Sequence, residues 1–125
     1  MLRLDIADEI MRCKPWIEDA LEHCGGTHDF NDIVEGVLGQ DMQLWPRPDC
    51  MMVTQLIAHP RKTVLHVFLA GGRLQSLRAM YPTITRWAKA QGCSLATVSG
   101  RPGWGRALRD LPGLIEAQAF LMMEI

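Results

Sequence analysis

Met51-Met52-Val53-Thr54-Gln55-Leu56-Ile57-Ala58, then His59-Pro60-Arg61-Lys62, then Thr63-Val64-Leu65-His66-Val67-Phe68-Leu69-Ala70: this stretch decides the fold. Two runs of eight residues, rich in β-branched and apolar side chains, flank a four-residue link containing proline. That pattern predicts an antiparallel hairpin. The second arm is apolar enough to lie inside a sheet, and Gly71-Gly72 is expected to end it. Before it, residues 42–45 read as a short extended run closed by Pro46-Arg47-Pro48-Asp49.

Outward from the hairpin the period changes from two to about 3.6. On the N-terminal side, Pro15 leads a stripe of Trp16, Ile17, Ala20 and Leu21 backed by Glu18, Asp19 and Glu22. This predicts an amphipathic helix with proline in its first turn and Gly25-Gly26 as its stop. A second helix is predicted through Phe30, Ile33, Val34, Val37 and Leu38, capped by Thr27 or Asp29 and ended by Gly39. Residues 1–6 are ambiguous between a short strand and a helical lead-in.

On the C-terminal side, Leu74, Leu77, Tyr81, Ile84 and Ala88 keep a helical stripe that closes at Gly92. Pro82 lacks the amide that would bond to the Arg78 carbonyl, so a kink or restart near Tyr81 is expected. Residues 94–98 read as a strand, 104–111 as a short helix ended by Pro112-Gly113, and 117–125 as a last strand. The predicted order is (β)-α-α-β-β-β-α-β-α-β. It corresponds to an α+β domain over residues 1–125, with a mixed, mostly antiparallel sheet and helices on both faces. The crossover helix makes residues 94–98 parallel to the hairpin's second arm.

Composition restricts the function classes. At 125 residues, 48% hydrophobic and 22% charged, the chain has the make-up of a single globular domain. No apolar run approaches the ~20 residues of a spanning helix. Asp5, Asp8 and Glu9 near the N-terminus argue against a secretory signal, so a reduced setting is expected. Cys13, Cys24, Cys50 and Cys93 form no Cys-x-x-Cys pair and read as free thiols. Cys13, His23, Cys24 and His28 are capable of binding zinc, but their spacing fits no standard knuckle, and no metal site is assigned.

The net charge of −1 conceals a division. Residues 1–49 hold eleven acids against four bases, and residues 50–125 hold nine bases against three acids. Between Cys50 and Arg109 there is no acid at all, which excludes a paired-carboxylate site there. Either the two halves pack with complementary faces, or the basic half meets an anion: cofactor phosphates, a nucleic acid or an acidic protein.

Element order, the hairpin followed by Gly71-Gly72-Arg73, the segment Trp87-Ala88-Lys89-Ala90-Gln91-Gly92-Cys93, and Ser99-Gly100-Arg101-Pro102-Gly103-Trp104 together resemble the GNAT (Gcn5-related N-acetyltransferase) fold. The likeness is strongest to small GNAT-like proteins encoded by phages and prophages, and covers roughly residues 15–125. It implies that the strand over 63–70 splays from the strand over 94–98, opening a gap for acyl-CoA pantetheine. It further implies that acetyl-CoA, if the chain is an enzyme, runs along Phe68 and Ala70. The diphosphate would then meet Gly71, Gly72 and Arg73. Backbone amides at a helix start suit any anion. The segment Ala70-Gly71-Gly72-Arg73-Leu74 is shorter than the family's Arg/Gln-x-x-Gly-x-Gly/Ala motif and does not match it. A glycine pair ending a strand is equally a plain turn.

Catalytic residues are sparse against the same family pattern. The helix over 104–111 has no tyrosine to protonate a leaving thiolate; the single tyrosine, Tyr81, stands beside Pro82. The hairpin holds no acid. His59 and His66 remain as candidate bases, and His66 is assigned the catalytic role. Strand alternation puts His66 on the face opposite Leu65, where it could equally face solvent. Arg101, Trp104 and Arg106, in a Gly/Pro loop, suit docking of a partner protein or stacking on a base; Trp104 could also be a core anchor.

Three readings follow. The first is a phage-type GNAT-fold protein with eroded catalysis, acting as an assembly or interaction component beside other phage proteins, in the virion near the head–tail junction or in the host cytoplasm, and capable of oligomerising. The second is an active acetyl-CoA-dependent N-acetyltransferase. The third is a nucleic-acid contact through the basic surface of residues 61–109.

Overall fold

The computed structural model describes residues 3–99 together with Met123 and Ile125. The expected helix over 104–111, nearly all of the strand over 117–125, and the candidate contacts Arg101, Trp104 and Arg106 lie outside the described residues.

Helix α1 (Arg3–Arg12) resolves the ambiguity at the N-terminus: the first element is a helix and not a strand. Its Ile10 is buried beside Cys13, Ile17 and Ala20, so a helical stripe outweighs the short apolar/polar alternation of residues 1–6. Helix α2 (Lys14–Leu21) carries Pro15 in its first turn, as proline's fixed φ favours. Helix α3 (Phe30–Leu38) opens on a reciprocal cap. The Asp29 carboxylate accepts from the Asp32 amide, and the Asp32 carboxylate accepts from the Asp29 amide. Gly39 ends α3 as expected, as its C-cap. Gly39 keeps a helical φ, and Gln40 takes the left-handed conformation at φ 66°.

Four strands follow in the spatial order β1-β2-β3-β4: β1 (Gln43–Arg47), β2 (Cys50–Ala58), β3 (Thr63–Gly72) and β4 (Cys93–Val98). The first two pairings are antiparallel and β3–β4 is parallel, so the described part is an α+β structure with a mixed sheet. The hairpin reads as expected, although β3 runs on through Gly71 and Gly72 before ending. Pro46 sits within β1, at the margin of the sheet, where proline's missing amide is tolerated.

Helix α4 (Leu74–Ala90) crosses over between β3 and β4. Pro82 lies inside it without a restart, because position 82 is on the exposed face, where loss of one amide costs least. The buried stripe is Leu77, Met80, Ile84 and Ala88; Met80 joins it, while of the expected members Leu74 is 39% exposed and Tyr81 is only partly buried. Gly92, at φ 90°, ends the helix as predicted, its amide donating to the Lys89 carbonyl.

The sheet separates two apolar layers. On one side, Ile10, Cys13, Ile17, Ala20, Ile33 and Val37 of the three N-terminal helices and the turn between them meet Met51, Val53 and Leu69. On the other, Leu77, Met80, Ile84 and Ala88 of α4 meet Cys50, Leu65, Val67 and Ala70. The alternation along β3 slips once. Val53 pairs with Leu69 and Thr54 with Val67, leaving Phe68 as the extra residue of a β-bulge. Phe68 and Leu69 consequently both turn toward the N-terminal helices.

Candidate functional site

The bulge coincides with the end of the parallel pairing. Strand β4 is in register with β3 from Thr63–Cys93 to Val67–Val98, and the Ser99 amide donates to the Val67 carbonyl at 3.2 Å. Beyond that point, among the described residues, β3 continues from Phe68 to Gly72 with β2 on one edge only. Among the described residues, the other edge of β3 is therefore unpaired from Phe68 onward.

Four side chains gather where the parallel pairing ends, on the sheet face toward the N-terminal helices. His66 and Thr97 are register partners across β3 and β4, and Ser99 stands two residues further on the same face. The half-buried His66 ring bridges them, Nδ1 lying 2.8 Å from Thr97 Oγ1 and Nε2 lying 3.0 Å from Ser99 Oγ. His66 is thus engaged at both nitrogens rather than turned to open solvent. Burial pulls its pKa below the usual imidazole value, which keeps the ring neutral and one nitrogen free to accept a proton. Phe68 follows on the same face, with its ring centroid 6.4 Å from that of His66 and 4.8 Å from that of His28, which it meets edge-on. His28, from the α2–α3 connection, lies 2.7 Å through Nδ1 from Thr27 Oγ1.

The glycine pair has a packing explanation. A Cβ on Gly71 would come within 2.9 Å of Trp16 Cβ, so this glycine lets α2 close onto β3. Gly72, at φ 97°, brings the chain against the backbone of Asp49 and Cys50; a Cβ there would run into the Asp49 carbonyl oxygen and lie 2.5 Å from Cys50 Cα. The Arg73 amide then donates to that same carbonyl at 2.9 Å.

The Asp49 side chain completes this corner. Ser76, in the first turn of α4, donates its hydroxyl to Asp49 Oδ2 at 2.7 Å, and the Arg73 guanidinium stands 4.0 Å from the same oxygen. A carboxylate thus stands at the start of α4, beside the positive end of the helix. This contact also joins the acidic first half of the chain to the basic second half.

Phe68, Ala70, Gly71, Gly72 and Arg73 all lie along the part of β3 beyond its pairing with β4, and at its exit. Of these, Phe68 faces the His66 group, while Ala70 is buried against α4. The relation of His66 to Ser99 was missed at the level of sequence, since these residues are 33 positions apart. The predicted parallel register of β3 and β4 was the signal that could have found it. Among the described residues, no group of three or more His, Cys, Asp or Glu side chains is placed to hold a metal ion, and no helix is long and apolar enough to cross a membrane.

No family model, no curated protein and no solved structure matches this chain.

Proposed function

We propose that the chain is a GNAT-like protein of the small phage and prophage type in which acetyl-CoA-dependent transfer has been lost. It serves as an assembly or interaction component, in the virion near the head–tail junction, as the resemblance implies. The observation that carries the loss of cofactor use is the Asp49 carboxylate at the start of α4, bonded to Ser76 and facing Arg73. A diphosphate in that position would meet a like charge, and Arg73 would be shared with it. The glycines preceding it are used in packing against Trp16, Asp49 and Cys50. The hairpin strands carry no acid to deprotonate an amine.

Calorimetric titration with acetyl-CoA tests the cofactor part. Silence at millimolar cofactor is the expected result, and binding at micromolar cofactor would overturn it in favour of the transferase reading. The interaction part rests on Arg101 and Trp104: changing both to alanine is expected to abolish partner association while the urea midpoint stays constant. Retention of the partner would remove those residues from the interface.

A further inference from the structure

We propose that Ser99 is a nucleophile and His66 its general base, forming a dyad that accepts an acyl group from an activated carboxylic ester or thioester. The dyad uses neither CoA phosphates nor the α4 terminus, so it stands apart from the reading above.

The geometry has two of the parts that an activated serine requires: a hydroxyl in reach of a base, and a base held by a third group. Ser99 Oγ is 3.0 Å from His66 Nε2, and Thr97 Oγ1 holds the opposite nitrogen at 2.8 Å. With the proton on Nδ1 donated to Thr97 Oγ1, the Nε2 lone pair faces the Ser99 hydroxyl. Strand pairing fixes all three side chains, since His66 and Thr97 are register partners and the Ser99 amide is tied to Val67. A short acyl chain or an aromatic leaving group would lie toward Phe68, whose ring follows His66 on the same face and meets the His28 ring edge-on.

In the acylation step, Ser99 Oγ forms a bond to the substrate carbonyl carbon and its proton passes to His66 Nε2. The bond from that carbon to the alkoxide or thiolate leaving group breaks, and the leaving group takes the proton from His66. Water then attacks the carbonyl carbon of the acyl-serine ester while His66 takes a proton from it; the bond from that carbon to Ser99 Oγ breaks, Oγ takes the proton back from His66, and the free carboxylic acid leaves. Thr97 is a positioning residue. A neutral hydroxyl stabilises the transient imidazolium less than a carboxylate does, so acylation should be slow and the acyl-enzyme observable.

The probe is p-nitrophenyl acetate with the full chain at neutral pH. The expected result is a burst of p-nitrophenolate approaching one equivalent and a single acetyl group on the peptide containing Ser99, located by fragment mass spectrometry. Ser99→Ala should remove that adduct, and His66→Gln should slow its formation at least about a hundredfold. Thr97→Val should slow it and Thr97→Ser restore it, a rescue that a merely structural role would not produce. Ser99→Cys, which keeps a nucleophile, should carry the adduct at the same position. Urea midpoints identify any variant that fails to fold. Acetylation confined to lysines or to the four native cysteines, or an adduct at Ser99 forming equally fast in His66→Gln, would overturn the proposal.

Discussion

Trp45 and Trp87 meet edge to face, their ring centroids 5.3 Å apart with 73° between the planes, joining the first strand to the crossover helix. The indole of Trp45 is oriented from behind. Its Nε1 donates to Thr54 Oγ1 at 2.9 Å, and that hydroxyl donates in turn to Gln43 Oε1 at 2.8 Å. Thr54 is the one fully buried polar residue among those described, with 0% exposure, and it is satisfied as both donor and acceptor.

Thr54→Val keeps the shape and deletes the hydroxyl, leaving the Trp45 indole N–H and the Gln43 carbonyl without it. A loss of about 1–3 kcal/mol in unfolding free energy is expected by urea titration. An unchanged midpoint would mean that the ring pair is oriented by packing alone.

Two glycines with similar backbone angles should respond differently to alanine. Gly26 (φ 76°) has nothing within 4 Å of where a Cβ would stand, so Gly26→Ala should cost only the left-handed strain, about 1–2 kcal/mol. Gly72 (φ 97°) adds a collision with the backbone of Asp49 and Cys50, which cannot move without separating β2 from β3. Gly72→Ala should therefore lose several times as much stability, and equal midpoints for the two variants would contradict the close approach.

Burial lowers the His66 pKa below the ordinary 6.5. Between the folded and unfolded values, the unfolded chain binds the additional proton, so stability falls as pH drops through 6.5 toward the folded pKa. His66→Gln should flatten the urea midpoint against pH in that window relative to wild type. Parallel curves for the two proteins would show that the ring is as well solvated folded as unfolded.

The thiols of Cys13 and Cys50 are pushed up from 9.0 by burial, and both side chains are fully enclosed. Their contribution is present below pH 9.0 and is lost as pH rises above it, because the unfolded chain ionises first. Thiol titration with Ellman's reagent should find Cys24 and Cys93 reactive in the native protein and all four cysteines reactive in denaturant. Fast native labelling of Cys13 or Cys50 would contradict their enclosure.

Much of the architecture was legible in the sequence, for identifiable physical reasons. The paired runs around His59–Lys62 admit one pairing that buries Val53, Leu65 and Leu69, and the crossover helix leaves its following strand one direction. Local signals were incomplete where a neighbour decided the outcome. Residues 1–6 alternate like a strand, yet Ile6 and Ile10 serve a helical stripe against Cys13 and Ile17. The left-handed residue after α3 is Gln40 and not Gly39. The site was less legible. His66 could be marked as a candidate base, but its contact with Ser99 depends on a parallel register with no local signature. In the sequence Gly71-Gly72 has the look of a phosphate loop, while Asp49, which stands at the helix terminus, carries only the signal of a turn.

Among the described residues, Pro46 lies in an edge strand of the sheet. Proline is compatible with a sheet only where the ladder needs no donor, so its ring nitrogen points away from β2. A foreign segment trying to extend the sheet from that side would find a gap in the row of donors, with the charged Arg47 next to it. The arrangement works against fibre growth and against accidental strand exchange between copies at high concentration.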